Sequence, residues 1–129
     1  MDGGAFLDFH TPRLDEAVER MPPDQVDRLP FGVVRLDAAG VVTFYSASER
    51  RMSGLRREAL GRSFFADIAP CMDNADFRGR IERAWSEGRI DVAFGYVSDM
   101  PSGARGVELH VRAQSASDGG VWLFLLRGD

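Results

Sequence analysis

The chain has 129 residues, 44% hydrophobic and 28% charged, with a formal net charge of −4. This length suits one domain with a single real core, and the composition excludes a disordered chain and a basic nucleic-acid reader. Every basic residue is arginine and Cys71 is the one cysteine, so a lysine Schiff base and an intrachain disulfide are both excluded, and any covalent attachment falls first to Cys71.

Residues 1–29 read as a helical cap. Leu14, Ala17, Val18 and Met21 recur at helical spacing after Pro12 and are stopped by Pro22 and Pro23. A second short turn follows, ended by Pro30. The expectation is a segment packed on a sheet with fewer buried contacts than the rest, suited to local release. Residues 30–129 form the core of the same domain. Residues 31–37 and 41–45 read as a hairpin joined by Ala38-Ala39-Gly40. Ser46 with Glu49 three residues later fits a capping box for a short helix ended at Ser53-Gly54. Another turn is expected over residues 57–60, then apolar Phe64 to Ala69 leading into Pro70-Cys71. Asn74 or Asp76 caps the one long helix, with Phe77, Ile81, Ala84 and Trp85 on a single face. Strands follow over residues 90–98, 106–113 and 121–126, separated by turn-forming residues. This order describes an α+β domain, an antiparallel sheet with helices on one face.

Glu108 and His110 share a strand face and suggest a hydrolytic triad with Cys71, but strand alternation equally makes them a solvated polar pair, and no nucleophile elbow accompanies them. One cysteine and two separated histidines give no zinc spacing, and no Gly-rich phosphate loop occurs. The arginines from Arg50 to Arg62 lack interleaved exposed aromatics and read as a solvated surface, with no nucleic-acid partner expected. No apolar run reaches the roughly 18 residues of a membrane span, and the first ten residues lack a signal peptide's basic start, so a cytoplasmic location is expected.

Tyr45, Glu49, Ser53 and Cys71 remain. Taken singly they read as a strand-end ring, a capping residue, a turn residue and a small core hydrophobe. Their spacing adds something: Glu49 and Ser53 lie four and eight residues after Tyr45, on about one side of a chain that coils directly after the strand.

The segment Gly61-Arg62-Ser63-Phe64-Phe65-Ala66-Asp67-Ile68-Ala69-Pro70-Cys71 resembles the signature around the cofactor cysteine of the photoactive yellow proteins, blue-light receptors with a PAS fold. Phe31-Gly32, Leu36-Asp37, the Tyr45, Glu49 and Ser53 positions, Phe94-x-Tyr96, His110 and Val121-Trp122 extend the resemblance over nearly the whole chain. It implies a five-stranded antiparallel sheet flanked by short helices and one longer helix, with an N-terminal cap. It implies a 4-hydroxycinnamic (p-coumaric) acid thioester on Cys71, with the Cys71 N–H donating to the thioester carbonyl. Phe31, Phe64, Phe65 and Phe94 are expected to help wall an aromatic pocket. In the implied mechanism the phenolate accepts hydrogen bonds from Tyr45 and from a protonated Glu49, while Ser53 orients Tyr45. Blue light then drives trans to cis isomerisation, Glu49 gives up its proton, and the buried carboxylate loosens the fold at the cap.

Two positions depart from the family pattern. The loop after Ser53 is one residue shorter, so the chromophore-shielding arginine falls at Leu55 or Arg56, and Arg56 is preferred. The methionine tied to dark recovery in the family falls at Ser102, with Met100 nearby but displaced. The expected output is non-enzymatic, to a downstream signalling protein or to phytochrome or histidine-kinase regions of a longer sensor. The rival is a PAS ligand-binding or interaction module without a photoactive group.

Overall fold

The computed structural model describes residues 7–99 and 103–127. Met100 and Ser102 lie outside the described residues. Five strands, β1 (Gly32–Leu36), β2 (Val42–Tyr45), β3 (Asp91–Ser98), β4 (Val107–Ser115) and β5 (Val121–Arg127), form one antiparallel sheet in the order β2-β1-β5-β4-β3. The central β5 is apolar from Val121 to Leu126 because it is covered on both faces, which its alternation divides. Val121, Leu123 and Leu125 enter one core, while Trp122 and Phe124 enter the other.

The helices are divided between those two faces. On one side α1 (Leu14–Arg20) and α2 (Pro23–Val26) set Leu14, Val18 and Val26 against Phe31, Val33, Trp122 and Phe124. This cap is more firmly seated than its sequence suggests. Leu14 is fully buried, Trp122 Nε1 donates to Glu19 at 2.7 Å, Arg112 donates to the carbonyls of Phe9 and Thr11, and Asp15 N donates to Gln114 at 2.9 Å. Polar residues of β4 and β5 supply these anchors from positions about 100 residues away, where no local pattern announces them.

On the other side lie α3 (Ala47–Ser53), a π-helical turn (Phe64–Ile68), a 3-10 turn (Pro70–Met72) and α4 (Arg78–Ser86). Phe77, Ile81 and Ala84 face the core as the periodicity predicts. Asn74 organises the approach to α4, its Oδ1 accepting from the backbone of Asp76 and Phe77. Over residues 57–60 no helical turn forms; the hydrogen-bonded turn comes later, with Arg62 N donating to the Ala59 carbonyl at 3.2 Å. Only half of the capping box forms. Ser46 Oγ accepts from Glu49 N at 3.1 Å, but the Glu49 side chain does not return the bond and is drawn into the interior.

Candidate functional site

The inner face of the sheet, α3 and the π-helical turn enclose a cavity of about 370 Å³, within the usual range for small-molecule sites. Its walls are mostly apolar, formed by Leu55, Phe64, Ile68, Ala69, Met72 and Leu125. Cys71 lines one part of it, and Tyr45, Glu49 and Ser53 also line it. Four polar residues from three segments thus meet in one space.

Strand β2 ends at Tyr45 and α3 begins two residues later, so the turn of helix that follows brings Glu49 and Ser53 to the same side as the Tyr45 ring. Tyr45 Oη and Ser53 Oγ share a hydrogen bond at 3.1 Å, and the Arg50 guanidinium lies 5.6 Å from the Tyr45 ring centre. Burial, with a contribution from the Glu49 charge, pushes the Tyr45 hydroxyl up to about 12, so it remains a donor at neutral pH.

Glu49 sits where the sheet makes room for it. Its carboxylate lies over Gly32 of β1, where a Cβ would overlap Oε1 and come within 2.8 Å of Cδ. Arg127, at the end of β5, grips both oxygens, Nη1 to Oε1 at 2.6 Å and Nη2 to Oε2 at 3.0 Å. Burial drives the Glu49 carboxyl above its usual range, while the hydrogen bonds and charge of Arg127 pull it back part of the way.

Cys71 is held by its backbone. Its carbonyl accepts from Tyr96 Oη at 2.6 Å and from Asn74 Nδ2 at 3.0 Å, and its thiol lies 3.0 Å from Ser98 Oγ. The thiol's described partners, Ser98 and the Asp99 carbonyl, include no general base. His110 is exposed on β4, beside the inward-facing Leu109 and Val111. The triad reading has no geometric support.

The other expected site residues divide. Phe64 lines the cavity. Phe65 stacks edge-on behind it, 5.1 Å between ring centres, and turns to Phe77 and Arg78. Phe94 packs on Phe77 and Arg80 under α4, and Phe31 faces the cap core on the opposite side of the sheet. Phe31, Phe65 and Phe94 therefore do not wall the cavity: one occupies the other sheet face and two belong to the α4 packing. Arg56 is exposed and also does not line it. With Leu55 buried as a wall, the arginine that reaches the cavity is Arg57, bonded to the Asp67 carbonyl.

A family model described as PAS fold matches residues 26–128. The photoactive yellow proteins of Rhodothalassium salexigens and Cereibacter sphaeroides are 31% and 32% identical to this chain, each over 95% of it and 98% of their own length. The chain belongs to the photoactive yellow protein family. Among solved structures, the photoactive yellow protein domain of the sensor histidine kinase Ppr from Rhodospirillum centenum superposes with a TM-score of 0.77 at 31% identity, covering 86% of this chain and 97% of that one. A PAS domain of an HTR-like protein from Haloarcula marismortui, at 18% identity and a TM-score of 0.56, shares the fold alone. This member of the photoactive yellow protein family is thus a PAS-fold sensory domain.

Three of the residues that shape the site, Arg127, Gly32 and Ser98, have no local sequence signal. Arg127 and Gly32 seat Glu49, and Ser98 and Asn74 hold Cys71. Each acts across more than a dozen residues of chain or through a backbone atom, except Asn74, whose Asx-type bonds to the next residues were legible and whose bond to Cys71 was not. Among the described residues no cluster of metal-ligating side chains occurs and no helix is long and apolar enough to cross a membrane.

Proposed function

We propose that this domain is a blue-light sensor in which a 4-hydroxycinnamyl group, linked as a thioester to Cys71, fills the cavity and presents its phenolic end to Tyr45 and Glu49. The observation that carries this is a single apolar cavity lined both by the one thiol and by the Tyr45, Glu49 and Ser53 side chains. An elongated group with polar atoms only at its ends fits such a lining. When bound, that group supplies absorption of blue light and trans to cis isomerisation.

The chain's own residues do the rest. The Cys71 sulfur attacks an activated acyl donor; its proton is lost, the sulfur–carbon bond forms, and the donor's leaving group departs with the electrons of the broken bond. The Cys71 N–H is the donor proposed for the thioester carbonyl. Tyr45, kept protonated by burial and set by Ser53, donates at the inner end. Glu49, whose burial raises its proton affinity, is the second donor and the proton source. Arg57 stands at the cavity in the shielding role, in place of Arg56.

Loss of the Glu49 proton leaves a buried carboxylate on α3. Arg127 holds that carboxylate at 2.6 and 3.0 Å, so what the transfer removes is the hydrogen bond between Glu49 and the phenolic oxygen; a hydrogen bond to a charged group is worth about 1.5–3 kcal/mol, a sizeable share of the about 5–15 kcal/mol that stabilises a small domain. α3 is joined to the cap by Ala47 N, which donates to Asp27 at 2.8 Å, and to the residue before β1 by Ser48 Oγ, which donates to the Phe31 carbonyl at 3.0 Å. The signal is accordingly a loosening of the cap, residues 1–29, from the core, residues 30–129. Its receiver is a downstream protein or a kinase region of a longer sensor, a reading supported by the Ppr relative's being a domain of a sensor histidine kinase.

The test is to mix the protein with activated p-coumaric acid and record its visible spectrum and mass. A yellow adduct of the mass of one acyl group, absent in Cys71→Ala, is the expected result. No adduct would refute the photoreceptor and leave a PAS interaction module.

A further inference from the structure

A partly buried arginine behind this cavity changes the charge count at Glu49. Arg127 and Glu49 are 78 residues apart, yet their side chains meet in a two-bond fork while 16% and 5% exposed. Parallel N–H to oxygen bonds of this kind are the geometry of guanidinium on carboxylate. Both members are fixed: Arg127 by its backbone place opposite Leu109 in the sheet, Glu49 by α3 and the bare Gly32 backbone beneath it. Leu125, two residues before Arg127 on the same strand face, lines the cavity, so the guanidinium stands behind Glu49 and reaches the cavity through it.

We propose that Arg127 is the fixed counter-ion of this cavity: it holds Glu49 as a carboxylate in the protein without a bound group, and it makes one negative charge tolerable there whichever oxygen carries it. The second half rests on the cofactor reading above; the first half does not.

The ionisable groups acting on Glu49 are Arg127 from β5 and Tyr45 from β2; Gly32 of β1 offers none, and Arg50 of α3 acts on Tyr45. Tyr45 keeps its proton throughout the neutral range, so at the Glu49 seat Arg127 and Glu49 set the net charge; Arg57, Asp67 and Asp99 also line the cavity but are not among the groups acting on Glu49. With nothing else present, guanidinium and carboxylate cancel. Adding a phenolic oxygen with its proton leaves the total at zero, because the proton resides either on that oxygen or on Glu49. Arg127 therefore permits a proton to pass between the two oxygens without creating an uncompensated charge. Its role is positioning and electrostatic, because it does not itself line the cavity.

Two measurements separate this proposal from the cofactor reading. The first uses protein without any acyl group, by infrared spectroscopy of the protonated-carboxyl band assigned through its loss in Glu49→Gln. The wild type should show no such band at neutral pH and gain it on acidification; Arg127→Gln should show it at neutral pH, and Arg127→Lys should suppress it again. A neutral-pH band in the wild type, equal in Arg127→Gln, would overturn the proposal whether or not the protein binds p-coumaric acid, and the wild-type arm needs no variant to fold. The second uses the acylated protein. Its yellow band should bleach in acid at a pH raised by about 1–3 units in Arg127→Gln, the usual effect of removing a nearby opposite charge, and Arg127→Lys should restore the wild-type value. An unchanged bleaching pH would overturn the counter-ion role, whereas failure to form any adduct refutes the cofactor reading and leaves the infrared result standing.

Discussion

The Glu49 seat depends on an atom that is missing, and adding it is the most direct perturbation of the site. In Gly32→Ala the new Cβ would overlap Glu49 Oε1 and stand 2.8 Å from Cδ and 3.0 Å from Cβ. A long carboxylate side chain usually swings aside from such an overlap. Here both oxygens are held by Arg127 at 2.6 and 3.0 Å in a space only 5% exposed on the Glu49 side, so moving away breaks the fork. Full rupture of a buried pair costs about 3–5 kcal/mol and simple overpacking about 1–3 kcal/mol. Because Glu49 survives and can take up a proton after displacement, the expected loss is about 2–4 kcal/mol. At a few degrees per kcal/mol for a domain of this size, that lowers the melting temperature by roughly 10 °C. Urea denaturation of Gly32→Ala, Glu49→Ala and the double variant measures it. Glu49→Ala removes Oε1 and Cδ from the overlap, so Gly32→Ala should cost less than about 1 kcal/mol in that background, a coupling of about 1–3 kcal/mol. Strict additivity of the two substitutions would refute the close approach of Glu49 to β1.

Acid and base should act oppositely on the two ends of the molecule. Glu49 is raised, so its contribution relative to Glu49→Gln is fully present below the unfolded-state value near 4.5 and is lost as pH rises through the folded-state value; urea midpoints of the two proteins against pH show it. Burial pushes Glu19 up, but the bonds from Trp122 and Ser117 with the Arg35 charge outweigh it and leave it lowered. Its contribution is present above about 4.5 and lost as pH falls through the lowered value, so Glu19→Gln should abolish an acid-side decline in stability that the wild type shows. Tyr45 should ionise near 12, read as a tyrosinate absorbance step missing in Tyr45→Phe; a step no higher than the ordinary value of 10.0 would contradict its burial. Under blue light the acylated protein should lose hydrogen-exchange protection over residues 13–29, and Asp27→Ala, which cuts the bond to Ala47 N, should reduce that loss. Unchanged protection of the cap under illumination would sink the proposed route of signalling.

The amino-acid sequence by itself determined the elements and their type. Apolar alternation set the strands, helical spacing set Phe77, Ile81 and Ala84 on one face of α4, and glycine and proline set the breaks. Spacing put Tyr45, Glu49 and Ser53 on one side of a strand-to-helix turn, whereas the family resemblance of the Gly61 to Cys71 segment implied that Phe64 and Cys71 join them. Phe31, Phe65 and Phe94 were legible as aromatic core but not as to which core, since a sheet covered on both faces gives each apolar side chain a hydrophobic destination either way. The choice of Arg57 over Arg56 turned on which neighbour filled the wall, and Leu55 did. Tertiary structure alone decided the partner of Glu49. A glutamate three residues after Ser46 reads as a capping residue, and only the pairing of β1 with β5, which sets Gly32 opposite Leu125 and carries Arg127 alongside, converts it into half of a buried ion pair.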